Sequence, residues 1–455
     1  MIHLRLLHIS HAKIKTLPKS VTKLYKLQTL TIKKCFEFVE LPEELSNLIS
    51  LRHIYIGKAR LRMPKNMVLL TCLQTLPIFV VGRDEGHRIE ELGALKNLRG
   101  KIDIYSLDFV EDEEEAKSAK LKEKEIFKLG LYWPKEVGYR DKDEKVLEGL
   151  QPHRNLKSLT IEGYGGKKFP SWVGLSLHHN LIEIKLIWFN NCEEVPTLGH
   201  LPCLRFLEID GMDKVRCIGS EFYSDESCKN RILFPALRIL ELKYMGDLEE
   251  WKDAKELTSA GEVLVFPCLE DLILFDCPNL RYLPGSLNTC ASLQKLLVSY
   301  CPDLRYLPGV PMKRCGIEDL PTGSEYLENW DCLPSSSYST SSIQPSLQSL
   351  KFSGPDTVDR GLNTPLDQIQ YFIALKILWI EDCYEMVDLP EWLGNISSLQ
   401  QLYLVDCWNM VHLPTKEAMQ RLTQLKKLVI SRCPKFEYNE RIKISDVPWV
   451  EINPE

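Results

Sequence analysis

No stretch of this 455-residue sequence stays apolar for the ~18 residues that a membrane-spanning helix needs. The first residues, MIHLRLLHISHAKIKTLP, hold neither an apolar core segment nor a small-residue cleavage site, so no secretory signal is read there. None of the 15 cysteines forms a CxxC pair, which leaves a zinc reading with little support. GxxxxGKS/T, HExxH and EF-hand spacings are all missing, and with them the usual signatures of nucleotide, zinc-hydrolase and calcium chemistry. Gly163-Tyr164-Gly165-Gly166-Lys167-Lys168 looks like a phosphate loop but has no Ser/Thr after a lysine to hold magnesium, so it reads as a turn. His178-His179 reads as an exposed pair, and Glu111–Glu115 as the solvated face of a helix. Asn395-Ile396-Ser397 is a lone glycosylation triplet, as many as chance supplies. Neither an enzyme nor a resident cofactor is expected.

What the chain has instead is repetition. LEDLILFDCPNLRYLP (Leu269–Pro284) returns as LQKLLVSYCPDLRYLP (Leu293–Pro308), LKILWIEDCYEMVDLP (Leu375–Pro390) and LQQLYLVDCWNMVHLP (Leu399–Pro414), twice at a period of 24 residues. This is a leucine-rich repeat of the LxxLxLxxN/CxL type. The expected fold class is α/β: a leucine-rich repeat solenoid, a curved horseshoe with a parallel concave β-sheet and an irregular or short-helical convex side. A chain of this length would ordinarily suggest about three domains, but stacked repeats share one continuous core, so a single solenoid over 1–455 is expected. Repeats start at Leu4, Leu27, Leu51, Leu73, Leu98, Ile126, Leu156, Leu181, Leu204, Leu237, Leu269, Leu293, Leu347, Leu375, Leu399 and Leu425, about 16 in all. In each, positions +3 and +5 alternate inward on a short strand, and +2 and +4 point outward. Leu-Pro pairs such as 283–284 and 389–390 end the turn and begin the return segment, where no ladder hydrogen bond is asked of proline.

Cys35, Cys277, Cys301, Cys383, Cys407 and Cys433 all stand at +8, where the side chain turns inward and Asn stands in other repeats. Reduced, buried thiols at a structural position imply a cytosolic or nuclear compartment. The rhythm breaks at a charged stretch, Val110–Lys124, expected as an exposed helix inserted within 105–125. It breaks again over 309–346, read as a degenerate repeat and a low-complexity loop around SSSYSTSS. At the other end, VPWVEINPE, given no repeat start of its own, reads as an ending whose prolines Pro448 and Pro454 limit further strand pairing.

Outward positions carry the candidate site. Positions +2, +4, +6 and +7 hold Trp188, Phe206, Tyr244, Phe275, Tyr300, Trp379 and Tyr403, with Glu381, Asp382 and Asp406 around the last two. Trp and Tyr are enriched at contact hot spots, so these residues outline a partner face suited to a basic or amphipathic surface. Charge is uneven: Met1–Lys65 carries +9 of a chain whose net charge is −6, leaving −15 on the remainder. Lys33, Lys34, His53 and Lys58 are placed outward on the second and third strands, with Lys13, Lys15, Lys19, Lys23 and Lys26 between. With few base-stacking aromatics nearby, this basic patch favours an acidic protein over nucleic acid.

Beyond the generic repeat, the chain resembles the leucine-rich repeat region of plant intracellular coiled-coil nucleotide-binding disease resistance proteins. The resemblance rests on LGALKNLRGKIDI (Leu92–Ile104), EDEEEAKSAKLKEKEIFKLGLYW (Glu111–Trp133), VLEGLQPHRNLKSLTIEGYGGKKFPSWV (Val146–Val173), LPCLRFLEIDGMDKVRCIGSEFY (Leu201–Tyr223) and FPCLEDLILFDCPNL (Phe266–Leu280), in family order. It implies a defence role in which the repeats restrain a nucleotide-binding switch and sense pathogen effectors, directly or through a guarded host protein. The basic patch would then dock on that switch. No coiled coil or nucleotide-binding domain is expected in this chain, so no residue here inherits ATP or ADP binding. The alternatives are the substrate-recognition repeat arm of an F-box-type ubiquitin ligase, disfavoured because no F-box-like segment precedes Leu4, and a receptor ectodomain, disfavoured because LxGxIP is missing.

Overall fold

The structure is a computed structural model and describes residues 3–453 apart from 58–60, 136–137, 139, 174–179, 225–231, 255–262, 306, 308–346 and 355–367. His178-His179, Lys58 and the 309–346 segment therefore lie outside the described residues. In the repeat that starts at Leu269, Leu269, Leu272, Leu274 and Cys277 are fully buried, and Asp271, Ile273 and Phe275 alternate onto the opposite face. That period of two, set by leucines at fixed intervals, is the local rule from which both parts of the molecule are built.

The chain forms two compact units. The first comprises Met1–Leu237 and Leu242–Gly246. In it β1 (Leu6–Ser10), β2 (Thr29–Lys33) and β3 (His53–Ile56) pair in parallel. A second parallel ladder runs β4 (Ile78–Val80), β5 (Arg99–Tyr105), β6 (Glu125–Tyr132), β7 (Ser158–Glu162), β8 (Glu183–Ile187) and β9 (Phe206–Asp210). The two-residue strands β10 (Cys217–Ile218), β11 (Ile232–Leu233), β13 (Glu250–Trp251) and β14 (Leu264–Val265) are not members of these ladders, and the residues of β12 (Ile239–Lys243) divide between the units. The second unit comprises Arg238–Glu241 and Asp247–Glu455. Its ladder is parallel and in chain order: β15 (Asp271–Phe275), β16 (Lys295–Ser299), β17 (Ser349–Ser353), β18 (Ile377–Glu381), β19 (Gln401–Val405), β20 (Lys427–Ser431) and β21 (Trp449–Asn453). Each unit is thus a leucine-rich repeat array. On the return side, Pro18, Pro42, Pro284 and Pro390 each immediately precede a 3₁₀ turn, and Thr415 caps the helix Lys416–Arg421 by accepting from the Ala418 N–H.

One backbone feature recurs at the end of the strands. The residue at +7 is left-handed: His11, Lys34, Trp188, Tyr244, Asp276, Tyr300, Asp382, Asp406 and Arg432 have φ between +50° and +56°, and Gly163, Gly211 and Gly354 fill the same place. There its N–H makes a last ladder bond to the +6 carbonyl of the next strand, as from Asp276 to Ser299 (2.8 Å) and from Asp382 to Val405 (3.0 Å). That same carbonyl accepts the thiol of its own repeat's +8 cysteine: Cys301 on Ser299 (3.3 Å), Cys407 on Val405 (3.4 Å), Cys433 on Ser431 (3.4 Å). Cys35, Cys277 and Cys383 do likewise on Lys33, Phe275 and Glu381, and all six are buried. Where cysteine is absent, buried Tyr164, Phe189, Met212 and Met245 stand at +8. The apparent phosphate loop is this turn: Gly163 has φ +75°, and a Cβ there would lie 2.6 Å from the Trp133 carbonyl.

The structure departs from the sequence reading in three places. The expected exposed helix over 110–124 is only a short helix, Glu113–Ser118, flanked by 3₁₀ turns at Leu107–Phe109 and Leu121–Glu123. One face of it is packed, since a Cβ on Gly93 would strike the Ser118 carbonyl at 2.3 Å and one on Gly149 the Glu113 carbonyl at 2.5 Å. The repeat read from Leu98 slips by one residue, because the ladder shifts register between Gly100 and Lys101 and leaves Ile102 and Ile104 inward. The tail read as a terminus pairs in register with β20 as β21, Pro448 standing just before the strand.

Gly163→Ala is expected to cost about 2 kcal/mol or more by chemical denaturation, whereas Asp276→Gly, which relieves a left-handed non-glycine, should be neutral or stabilising by up to ~1 kcal/mol. Equal losses from both would sink the role assigned to +7. Lys124 is buried, its ammonium 3.3 Å from the Leu95 carbonyl, and burial lowers its pKa from 10.5 to about 8. Between those two values the unfolded chain binds the extra proton, so wild-type stability from this group rises with pH. Lys124→Met should therefore stabilise at pH 7 by on the order of 1–3 kcal/mol, an advantage that narrows above pH 8 in thermal melts.

Candidate functional site

In the second unit, parallel register sets Lys351, Trp379, Tyr403 and Val429 side by side on the outer face. Strand spacing brings neighbouring flat rings to stacking distance, and the Trp379 and Tyr403 centroids are 4.4 Å apart at 16°. The Lys351 and Lys427 ammonium groups each sit 5.2 Å from a ring centroid, over Trp379 and Tyr403 respectively, and so cap the stack with cations. Lys351 also pairs with Glu381, and the Tyr403 hydroxyl donates to Gln401 at 2.8 Å.

Next to this stack lies the row of left-handed residues. Asp382 accepts from the Tyr300 hydroxyl, from Ser353 (3.4 Å) and from Tyr384 (3.2 Å). Gly354, which occupies the row between Tyr300 and Asp382, has no side chain to stand between them. The bond to Asp382 pushes the Tyr300 hydroxyl up to about 12. Asp406 pairs with Arg432 at 2.6 Å. Its pKa is nevertheless raised, by burial first, against the pull of Arg432 and with the charges of Asp382 and Glu381 adding to the rise. Phe275 meets Tyr300 edge to face at 5.5 Å. Beyond the row, Tyr384, Val387 and Trp408 are exposed. Of the ten residues expected to form the partner face, Phe275, Tyr300, Trp379, Glu381, Asp382, Tyr403 and Asp406 are brought together here.

The other three belong to the first unit. Phe206 lies under the Lys185 ammonium at 4.6 Å, Trp188 under that of Lys135 at 3.2 Å, and Tyr244 is 46% exposed. A ladder of charge that sequence reading missed crosses this face: Lys128 to Glu183 (3.2 Å), Lys185 to Glu208 (2.9 Å) and Lys243 to Glu208 (2.9 Å). It was open to detection, since these residues fall at outward positions of neighbouring repeats with alternating sign. Burial pushes Glu208 up, but hydrogen bonds from Lys243 and Lys185 outweigh it and hold the carboxyl below its ordinary range. Lys13 and Lys15 in the segment after β1, Lys33 at the end of β2 and Lys34 just past it are exposed, while His53 on β3 is half-buried against Thr75 at 3.0 Å. Phe36, 82% exposed, follows Cys35 directly after those two adjacent lysines.

Residues 89–212 match the R13L1/DRL21 leucine-rich repeat family. The chain is 38% identical over 233 residues to the disease resistance protein RGA2 of Solanum bulbocastanum, covering 50% of this chain and 23% of that protein. It is 33% identical over 313 residues to a putative disease resistance protein of Arabidopsis thaliana, covering 61% of this chain and 22% of that protein. A putative disease resistance RPP13-like protein 1 of Arabidopsis thaliana is 34% identical over 229 residues, 47% of this chain and 21% of that protein. The chain thus spans under a quarter of the length of these relatives, and it resembles the leucine-rich repeat region of plant disease resistance proteins. Among solved structures, an internalin (inlF) of Listeria monocytogenes overlays 98% of this chain and 86% of its own at 13% identity and a TM-score of 0.34, too loose an overlap to carry an argument.

Glu208→Gln leaves Lys185 and Lys243 facing each other without their shared anion, and should destabilise by about 1–3 kcal/mol at pH 7. Because the native carboxyl titrates below its ordinary 4.5, the difference from wild type is fully present above that value and is lost as pH falls from there through the lowered native value. A loss independent of pH would show that packing, and not the ion pairs, is what the substitution removes.

Proposed function

We propose that this chain is the interaction and sensing part of a plant disease resistance protein, recognising a pathogen effector or a guarded host protein and restraining a nucleotide-binding switch in defence. What carries the reading is the outer face of the second unit. There a Trp379–Tyr403 stack, half-buried on rigid strands, adjoins Glu381, Asp382 and Asp406. Such a face offers aromatic area whose ordering is already complete before a partner arrives, which is what hot spots require. Its partner would be basic or amphipathic. The exposed Lys13, Lys15, Lys33 and Lys34 of the first unit supply the opposite chemistry, suited to an acidic face of the switch. Nucleotide would belong to that switch, and this chain would need no cofactor. Work by contact, without catalysis, fits the family match and the repeat architecture. Among the described residues no helix is long and apolar enough to cross a membrane. The reduced cysteine row fits action in the cytoplasm or nucleus.

Co-expression of the full chain with the nucleotide-binding module of a close relative tests the docking arm. Reversal of Lys13, Lys15, Lys33 and Lys34 to Glu should reduce co-purification at least tenfold at physiological salt; unchanged recovery would remove this docking face. Trp379→Ala and Tyr403→Ala should impair recognition in a cell-death assay while leaving circular dichroism unaltered. Loss of the fold would instead return both rings to a packing role. Capture of a ligase adaptor in the same pull-down would shift the reading to a ubiquitin-ligase arm.

A further inference from the structure

On the first unit, the lysines of the outer face behave in two ways. Lys128, Lys185 and Lys243 each reach a carboxylate within 3.2 Å. Lys135, three residues past the end of β6, lies instead on the indole of Trp188, its ammonium 3.2 Å from the ring centroid. Trp188 holds the left-handed position after β8, and its neighbours in that row are both glycines, Gly163 and Gly211. A Cβ on Gly211 would come within 2.6 Å of the indole, so the ring lies where only glycine leaves room. Glu162 ends β7 and Asp210 ends β9, in register on either side of Ile187, the residue before Trp188. Burial raises the pKa of both carboxyls, with Glu208 adding to the rise at Asp210; the charge of Lys135 acts in the opposite direction at both, after that of Lys243 at Asp210. Asp210 Oδ1 is withdrawn from solvent and has no hydrogen-bond donor.

An aromatic face between two partly desolvated carboxylates, one with an unused acceptor, is the chemistry that recognises an organic cation. Lys135 satisfies it only in part, because it is an exposed residue that takes the ring without closing an ion pair with either carboxylate. We propose that Trp188, Glu162 and Asp210 form a receptor site for a lysine or arginine side chain of a protein partner, and that Lys135 is an internal stand-in which the partner's cation displaces. The inference rests on the reading that this face meets protein. It predicts competition: whatever removes the Lys135 charge frees the site.

The full chain labelled with 5-fluorotryptophan tests this by ¹⁹F NMR, with Trp188→Phe identifying the Trp188 resonance. The probes are N-acetyl-arginine amide and its neutral counterpart, N-acetyl-citrulline amide. In Lys135→Met the Trp188 resonance should move with the arginine probe at a concentration at least tenfold lower than in wild type, and stay still with citrulline. Asp210→Asn in the Lys135→Met background should abolish the shift. Lys135→Gln is the second variant, should Met disturb the fold. No shift in any of these proteins, or equal shifts with citrulline, would overturn the site and leave Lys135 as a contact that only holds its own loop. The probe needs neither effector nor switch module, so failure here and failure of the co-purification experiment are separate results.

Discussion

Everything on the outer faces depends on how each strand ends. A parallel ladder leaves its last carbonyl pointing back at the preceding repeat, and a buried carbonyl without a donor is costly. The left-handed residue at +7 answers that need by extending the ladder one bond further while reversing the chain, and the cysteine at +8 adds a second, weaker donor to the same oxygen. A left-handed non-glycine costs on the order of 1 kcal/mol or more, yet aromatic and charged residues occupy the place repeatedly. Their side chains are thereby fixed at the rim of the sheet. Trp188, Tyr300, Asp382 and Asp406 owe their positions to that backbone, so the fold's turn and the candidate partner faces are one device seen from two sides.

The same constraint explains how much could be read in advance. Leucine spacing marks inward residues because burial selects them, and the parallel pairing and the inward cysteines follow from it, with Pro18, Pro42, Pro284 and Pro390 standing before four of the 3₁₀ turns. The readings that missed lack that signature. At Gly100 a register shift moves the inward set to Ile102 and Ile104, and no leucine marks the change. Strand β21 carries Trp449, Val450 and Ile452 where leucines would have announced it. The helix over 113–118 read as exposed because its charges were counted, while the small residues it packs on, Gly93 and Gly149, lie far off in sequence.

Sites are less legible than folds for a related reason. Outward positions can be listed from the period, but which of them touch depends on register between repeats separated by insertions of unequal length. Trp379 and Tyr403 stack because their repeats are 24 residues apart and in step; Tyr300 reaches Asp382 only because the residue between them in the row is Gly354. Lys135 could not be placed over Trp188 from the sequence, since it comes from a connection and not from a strand. The resemblance to disease resistance proteins added what the residues alone do not carry, a biological setting, and left the geometry to be found.

The row of cysteines has a further use. The bond to Cys383, with burial added, pushes the Cys407 thiol up to about 12, and burial alone does the same at Cys290, outside the row. Thiols so raised are poor nucleophiles while the repeat is closed, and ordinary ones once it opens. Stability in a repeat array is shared between neighbours and need not be lost all at once. Each of these cysteines is therefore a clock for its own repeat: the order in which an alkylating reagent takes them would read out which part of the array lets go first.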